Sequence, residues 1–176
     1  MLKAFRAHGR HNRVAARLCE ALSARARQAV FFDDFGVADT IDGRFDLLVL
    51  HAWLVLQQLQ AEGERMLSQS LVNALFVRLE EALREQGAGD MGMSRRMKTM
   101  AGAFYGRLKA YGEAGDEDEF VPALARNLYR GEPARVEHAA AVAKYVNGAR
   151  ARLRQCRLTE GQLDFGPVRG LAETRQ

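Results

Sequence analysis

The run Phe45-Asp46-Leu47-Leu48-Val49-Leu50-His51-Ala52-Trp53-Leu54-Val55-Leu56 holds ten apolar residues in twelve. No alternation divides it into an inside and an outside, so as a helix it is apolar on nearly every side. A helix of that kind sits at the centre of a bundle, with neighbours all round it. Gln57-Gln58 close the run at about half the length that a membrane span requires. Thr40, Asp42 and Gly43 supply cap and turn chemistry just ahead of it. The predicted extent of this central helix is about 45–60, with Leu48, Ala52 and Leu56 inaccessible.

Working outward, the hydrophobic spacing predicts five more helices. The first, about 12–30, carries Val14, Leu18, Ala21 and Leu22 on one stripe. It runs into Phe31-Phe32-Asp33-Asp34-Phe35-Gly36, whose three phenylalanines must either pack inside or form an exposed contact patch. A helix over about 68–86, headed by Ser68, carries Leu67, Leu71 and Leu75 beside Val72, Phe76, Leu79 and Leu83, and stops at Gly87-Ala88-Gly89. Helices over about 93–112, 116–129 and 133–155 follow. The acids Asp116 to Glu119 complement the dipole at the start of one, and Pro133 suits the first turn of the next. Pro122 requires a nearby helix start or a kink. Ala and Leu dominate an apolar fraction of 48%, and there are three prolines. The expected fold is all-α, one domain of about six helices over residues 12–155. A basic segment 1–11 precedes it, and a weakly periodic, partly disordered tail, 156–176, follows.

The residues exclude several kinds of chemistry. The N-terminus is basic but has no apolar signal core. Gly87-Ala88-Gly89 lacks the Lys-Ser/Thr of a phosphate loop, and Ser68, Ser70 and Ser94 stand in no nucleophile-elbow context. His8, His11, His51 and His138 have no partner at metal-ligand spacing, so no metal or other cofactor is expected. His51 reads as a core histidine satisfied by a hydrogen bond. Cys19 and Cys156 have no CxxC neighbour and read as reduced thiols, a disulfide joining the two ends being the alternative. No catalytic residue is expected. The net charge of +4 is uneven: residues 1–30 hold seven Lys/Arg against one acid, and 113–119 hold five acids. A basic surface of this kind suits RNA, anionic lipid or an acidic protein alike.

The helix at 93–112 separates its faces most clearly. Met93, Met97, Met100, Phe104, Leu108 and Tyr111 form one stripe. Arg95, Lys98 and Lys109 fall on the opposite face with Gly102 and Gly106, and Arg96 and Arg107 lie at the border. Each mid-helix glycine costs about 1 kcal/mol relative to alanine. Two of them are tolerated where something approaches the backbone, either a helix of the same domain or a partner. Arg96 and Arg107 are either binding residues or members of ion pairs with Asp90 or a glutamate of the 68–86 helix. Arg95, Arg96, Lys98, Gly102, Gly106, Arg107 and Lys109 are the candidate partner-binding set.

Several blocks resemble a known family. They are Phe45 to His51 with Leu59, Leu67-Ser68-Gln69, Leu75-Phe76, Gly89-Asp90-Met91-Gly92-Met93, Arg96-Met97-Lys98, and Phe104-Tyr105-Gly106-Arg107 with Tyr111. In this order and spacing, from about Val14 to Arg130, they are similar to the ubiquinol–cytochrome c chaperone family. The Gly-Asp, Arg-Met-Lys and Phe-Tyr-Gly-Arg blocks carry most of the specificity. The resemblance implies a non-enzymatic assembly factor of the ubiquinol–cytochrome c reductase, acting on newly made cytochrome b at the ribosome together with a small helical partner protein. The start of the chain looks like that of a bacterial member. The expected location is the cytoplasm, with peripheral contact to anionic lipid on the inner face of the membrane. The alternative from another class is a basic, helical domain that binds ribosomal RNA.

Overall fold

The computed structural model describes residues 2–85, 90–114 and 117–168. All regular structure among them is helical. Seven α-helices follow in order: α1 Leu2–Ala26, α2 Val30–Asp33, α3 Ile41–Ala61, α4 Arg65–Glu85, α5 Asp90–Glu113, α6 Glu117–Leu128 and α7 Val136–Leu153. Short 3-10 turns at Pro133–Arg135 and Leu158–Glu160 flank α7. No helix among the described residues is long and apolar enough to cross a membrane.

α3 is the axis of the bundle, packed against α1, α4, α5, α6 and α7. It starts earlier than the apolar run because Thr40 caps it: the threonine hydroxyl accepts the Gly43 backbone N–H at 3.1 Å. Gly43 then sits so close to the Ala38 carbonyl that a Cβ there would collide with it. The start of α3 thus folds tightly back on its own approach strand of chain. Ala52 is fully buried as expected, but Leu48 and Leu56 are only partly so. A helix apolar all round carries no phase, so its sequence does not say which residues lie in the gaps between neighbours. Leu48 lies in such a gap.

The three phenylalanines resolve inward. Residues 27–29 break the first predicted helix, and α2 carries Phe31 into the core. Phe31 meets the rings of His51 at 5.2 Å, Tyr145 at 5.3 Å and Phe35 at 5.9 Å. Phe32 is half-buried beneath the Arg44 guanidinium, 5.9 Å from its ring centre. His51 is fully buried within this cluster. Its Nδ1–H donates to the Leu47 carbonyl at 2.7 Å, so Nε2 accepts from the Tyr145 hydroxyl at 2.8 Å. Burial, the largest influence, holds the ring's pKa down to about 4.

The ends differ from expectation. α1 begins at Leu2, so the boundary expected near residue 11 falls inside a helix. The arginines of that segment are good helix formers and continue the helix without an apolar stripe. The first part of the tail is anchored: Leu158 and Phe165 are buried, Phe165 packs edge-on to His51 at 5.1 Å, and Arg25 donates to the Gly166 carbonyl at 2.6 Å. Cys19 is buried and Cys156 half-buried, both as free thiols. Gly87-Ala88-Gly89, Asp116 and residues 169–176 lie outside the described residues.

Candidate partner-binding surface

α5 joins the bundle through Met93, Phe104 and Tyr111, all buried, with Met100 and Leu108 at the edge of the core. Phe104 meets Phe76 of α4 at 5.3 Å, and Tyr111 meets Trp53 of α3 at 5.6 Å. These contacts fix the rotation of α5 about its axis. With a repeat of 3.6 residues per turn, they turn Arg95, Lys98, Gly102, Gly106 and Lys109 to the outside, and all five are exposed.

Neither glycine serves the packing of this domain. A Cβ at Gly102 or Gly106 would meet nothing within 4 Å outside its own helix. Among the described residues no helix lies across that face, which removes close packing within the fold as the reason for the glycines. Arg95, Arg96 and Lys98 have no acid within ion-pair distance among the described residues, the Asp90 side chain being outside them. Lys109 reaches Glu113 at 3.6 Å along the same exposed face. Two turns along the same side of α5 from Lys98 stands Tyr105, 54% exposed and stacked against Phe76 at 6.3 Å. The surface is therefore cationic, with an aromatic margin and bare backbone at its centre.

Arg107 belongs to a different arrangement. Its side chain is only 16% exposed, and its guanidinium lies 2.6 Å from Asp46, a fully buried carboxylate on α3. The expected partners, Asp90 or an acid of the 68–86 helix, are thus replaced by an acid of the central helix. Arg130 approaches the same carboxylate at 2.9 Å and Asp42 at 3.8 Å. Arg130 takes φ +54° just after α6, the left-handed region that residues with a Cβ seldom adopt, where the chain closes the helix end with the Gly131 N–H on the Ala125 carbonyl. Arg107 also lies over the Phe45 ring, 5.4 Å from its centre. Burial is the largest influence on Asp46 and lifts its carboxyl to about 6, although both guanidiniums pull it down. The Tyr111 hydroxyl is buried nearby, and burial pushes its pKa up as well. Asp46 carries no role in the spacing argument, yet one signal of it stands in the sequence. It is the single acid in a run of apolar residues that has no polar side, so it must find a cation from another element.

The seven candidate residues therefore divide. Arg95, Lys98, Gly102, Gly106 and Lys109 share one open face, Arg96 is exposed beside it, and Arg107 turns inward to tie α5 to α3.

Known proteins are similar to this chain in sequence, and one solved structure is similar to it in fold. Residues 33–160 match the family described as Ubiquinol-cytochrome C chaperone. The ubiquinol-cytochrome c reductase complex assembly factor 1 of Drosophila melanogaster is 29% identical over 115 residues, which is 61% of this chain and 44% of that protein. The Xenopus laevis protein of the same description is 26% identical over 102 residues, 56% of this chain and 51% of that one. The chain thus spans about half the length of the curated relatives it matches. The crystal structure of the Cbp3 homolog from Brucella abortus superposes with a TM-score of 0.79 at 34% identity, covering 95% of this chain and 97% of the other. The family match takes in all of α3, α4 and α6 and the described part of α5, and with them both the open glycine face and the Asp46–Arg107 tie. This protein belongs to the ubiquinol–cytochrome c chaperone family.

Proposed function

We propose that this protein is a non-enzymatic assembly chaperone of the ubiquinol–cytochrome c reductase. It holds newly made cytochrome b, and α5 is the surface on which its partners dock. The observation that carries the reading is the open face of α5. Two glycines that meet nothing beyond their own helix stand there with three cations, of which Lys109 alone has an acid within ion-pair distance among the described residues, Glu113 of the same helix. Bare backbone lets a partner helix come close, and the surrounding cations select an acidic or RNA-lined neighbour and speed its arrival. The descriptions of the family and of the relatives support the choice of respiratory complex, and cytochrome b as the client is the step we add to them. The finer partners are the ribosome, a small helical protein and anionic lipid at the cytoplasmic side of the membrane. All present surfaces that a cationic face suits.

Capture from detergent-solubilised membranes tests the client. Tagged protein should recover cytochrome b, and Lys98→Glu with Lys109→Glu should recover much less. Recovery of RNA alone would replace this reading with that of a nucleic-acid-binding domain. Deletion in the native host should lower b- and c-type haem absorbance while the terminal oxidase stays normal. Unchanged haem spectra would count against the assignment.

A further inference from the structure

A groove of about 460 Å³ opens between α1, the start of α3 and the second half of α4, away from the glycine face. Its floor is apolar: Phe45, Leu48, Leu75, Leu79, Leu83 and Met100 line it. Leu48 and Met100 are among the core side chains left partly uncovered there. At its margin Ile41 is 59% exposed, the most exposed large apolar side chain among the described residues. Apolar side chains open to water in a concave groove offer a hydrocarbon chain a surface on which to be buried.

The charges around the groove narrow the occupant. Asp39 and Arg44 both line it but neutralise one another, with Arg44 Nε 2.6 Å from the aspartate. Arg27 from the end of α1 and Arg78 from α4 also line it, and among the described residues neither has an acid within ion-pair distance. The margin therefore carries two uncompensated guanidiniums above an apolar floor. Guanidinium pairs bind carboxylates and phosphates with directed hydrogen bonds. The size argues for a thin ligand. A single alkyl chain is much narrower than a helix about 10 Å across and can lie along the floor with its head group at the margin. A volume near 460 Å³ is within the range of sites for small ligands, roughly 300–1,000 Å³.

We propose that this groove binds a single-chain amphipathic anion, a long-chain carboxylate or alkyl phosphate. Its hydrocarbon chain lies on the Phe45–Leu48–Leu79 floor, and its head group is held by Arg27 and Arg78. The site is separate from the open glycine face of α5 and stands whether or not cytochrome b is the client.

The test is calorimetry on the delipidated full chain, with each amphiphile below its micelle concentration. Dodecanoate and dodecyl phosphate should bind saturably, one per chain. 1-Dodecanol, which has the chain without the charge, and inorganic phosphate, which has the charge without the chain, should each bind about tenfold or more weaker. Arg27→Glu with Arg78→Glu should bring dodecanoate down to the level of dodecanol. Both positions are exposed, so the melting temperature should hardly move. Ala82→Phe, which fills the groove from α4, should weaken both amphiphiles about tenfold. Met100→Trp does the same from α5 if the first variant folds poorly. No saturable binding, or equal affinity for dodecanoate and dodecanol in the wild type, would overturn the proposal. So would binding only to phosphatidylglycerol vesicles, which would make the arginines a membrane-contact surface, or only to an acid-bearing apolar peptide.

Discussion

α3 and α5 lie against one another, and each places polar residues among apolar ones, but they settle those residues in opposite ways. On α3 both polar residues of the buried run have partners inside the molecule: Asp46 meets Arg107 and Arg130, and His51 bonds Leu47 and Tyr145. On α5 the cations Arg95 and Lys98 have none among the described residues, and Gly102 and Gly106 touch nothing beyond their own helix. Buried polar groups are costly unless paired, so α3's are part of the architecture. Exposed cations contribute little to stability and mid-helix glycines lower it, so stability gives no reason for α5's outer face, and the docking role proposed above would give one.

Substitutions can break this contrast, beginning where the effect is largest. Asp46→Ala leaves Arg107 largely buried without its counter-charge and should destabilise the protein by about 3–5 kcal/mol, read from urea denaturation. Adding Arg107→Met should restore part of that loss, because the orphaned charge goes with it. A loss below about 1 kcal/mol for Asp46→Ala would mean that the pair does not join α5 to α3.

A pH series tests the same helix. The His51 value is depressed to about 4 from 6.5, so the unfolded chain binds more protons between those limits. Its contribution, about 3 kcal/mol when complete, is present above pH 6.5 and is lost as the pH falls towards 4. The Asp46 value is raised to about 6 from 3.8, so here the folded protein binds more protons. That contribution is present in acid and is lost as the pH rises from about 4 to 6. The two oppose one another, and wild-type stability should be nearly level across pH 4–6.5. His51→Gln should uncover a stability that falls as pH rises through this window. A stability that rises there instead would show that Asp46 titrates well below 6.

The smaller effects lie on α5. Gly102→Ala and Gly106→Ala should each raise stability by about 1 kcal/mol, since the added methyls meet open space and favour helix. Gly102→Leu should also fold normally while blocking partner capture. A fall of 1–3 kcal/mol would place a neighbouring element on that face. Smallest of all, Lys98→Glu with Lys109→Glu should change the melt by less than about 0.5 kcal/mol per site. That variant separates binding from folding most cleanly.

Much of this contrast could be read from the residues in order. The 3.6-residue spacing of Met93, Phe104 and Tyr111 placed the α5 core stripe and, by opposition, its outer face. The apolar run of α3 gave its central position but not its rotation, which is why Leu48 and Leu56 emerged partly uncovered. The Asp46–Arg107 pair joins residues far apart in the chain: the apolar run around Asp46 signals that it needs a cation, but no local pattern says which one. The groove was illegible for the same reason: its walls come from α1, α3, α4 and α5, and its two arginines gain meaning only when those helices are set side by side.

The anchored tail bears on timing. Phe165 covers one face of His51, and Arg25 near the end of α1 grips the Gly166 carbonyl, so the first helix and the core are completed by residues that follow the last helix. A chain emerging N-terminus first, at about 5–20 residues per second, presents Trp53 on the order of ten seconds before Phe165 arrives. Through that interval α3 is out of the ribosome without its full covering, and its apolar flanks are open to any neighbour. A chain cut before Leu158 should accordingly aggregate or cling to general chaperones during synthesis, even though every one of its α-helices is encoded.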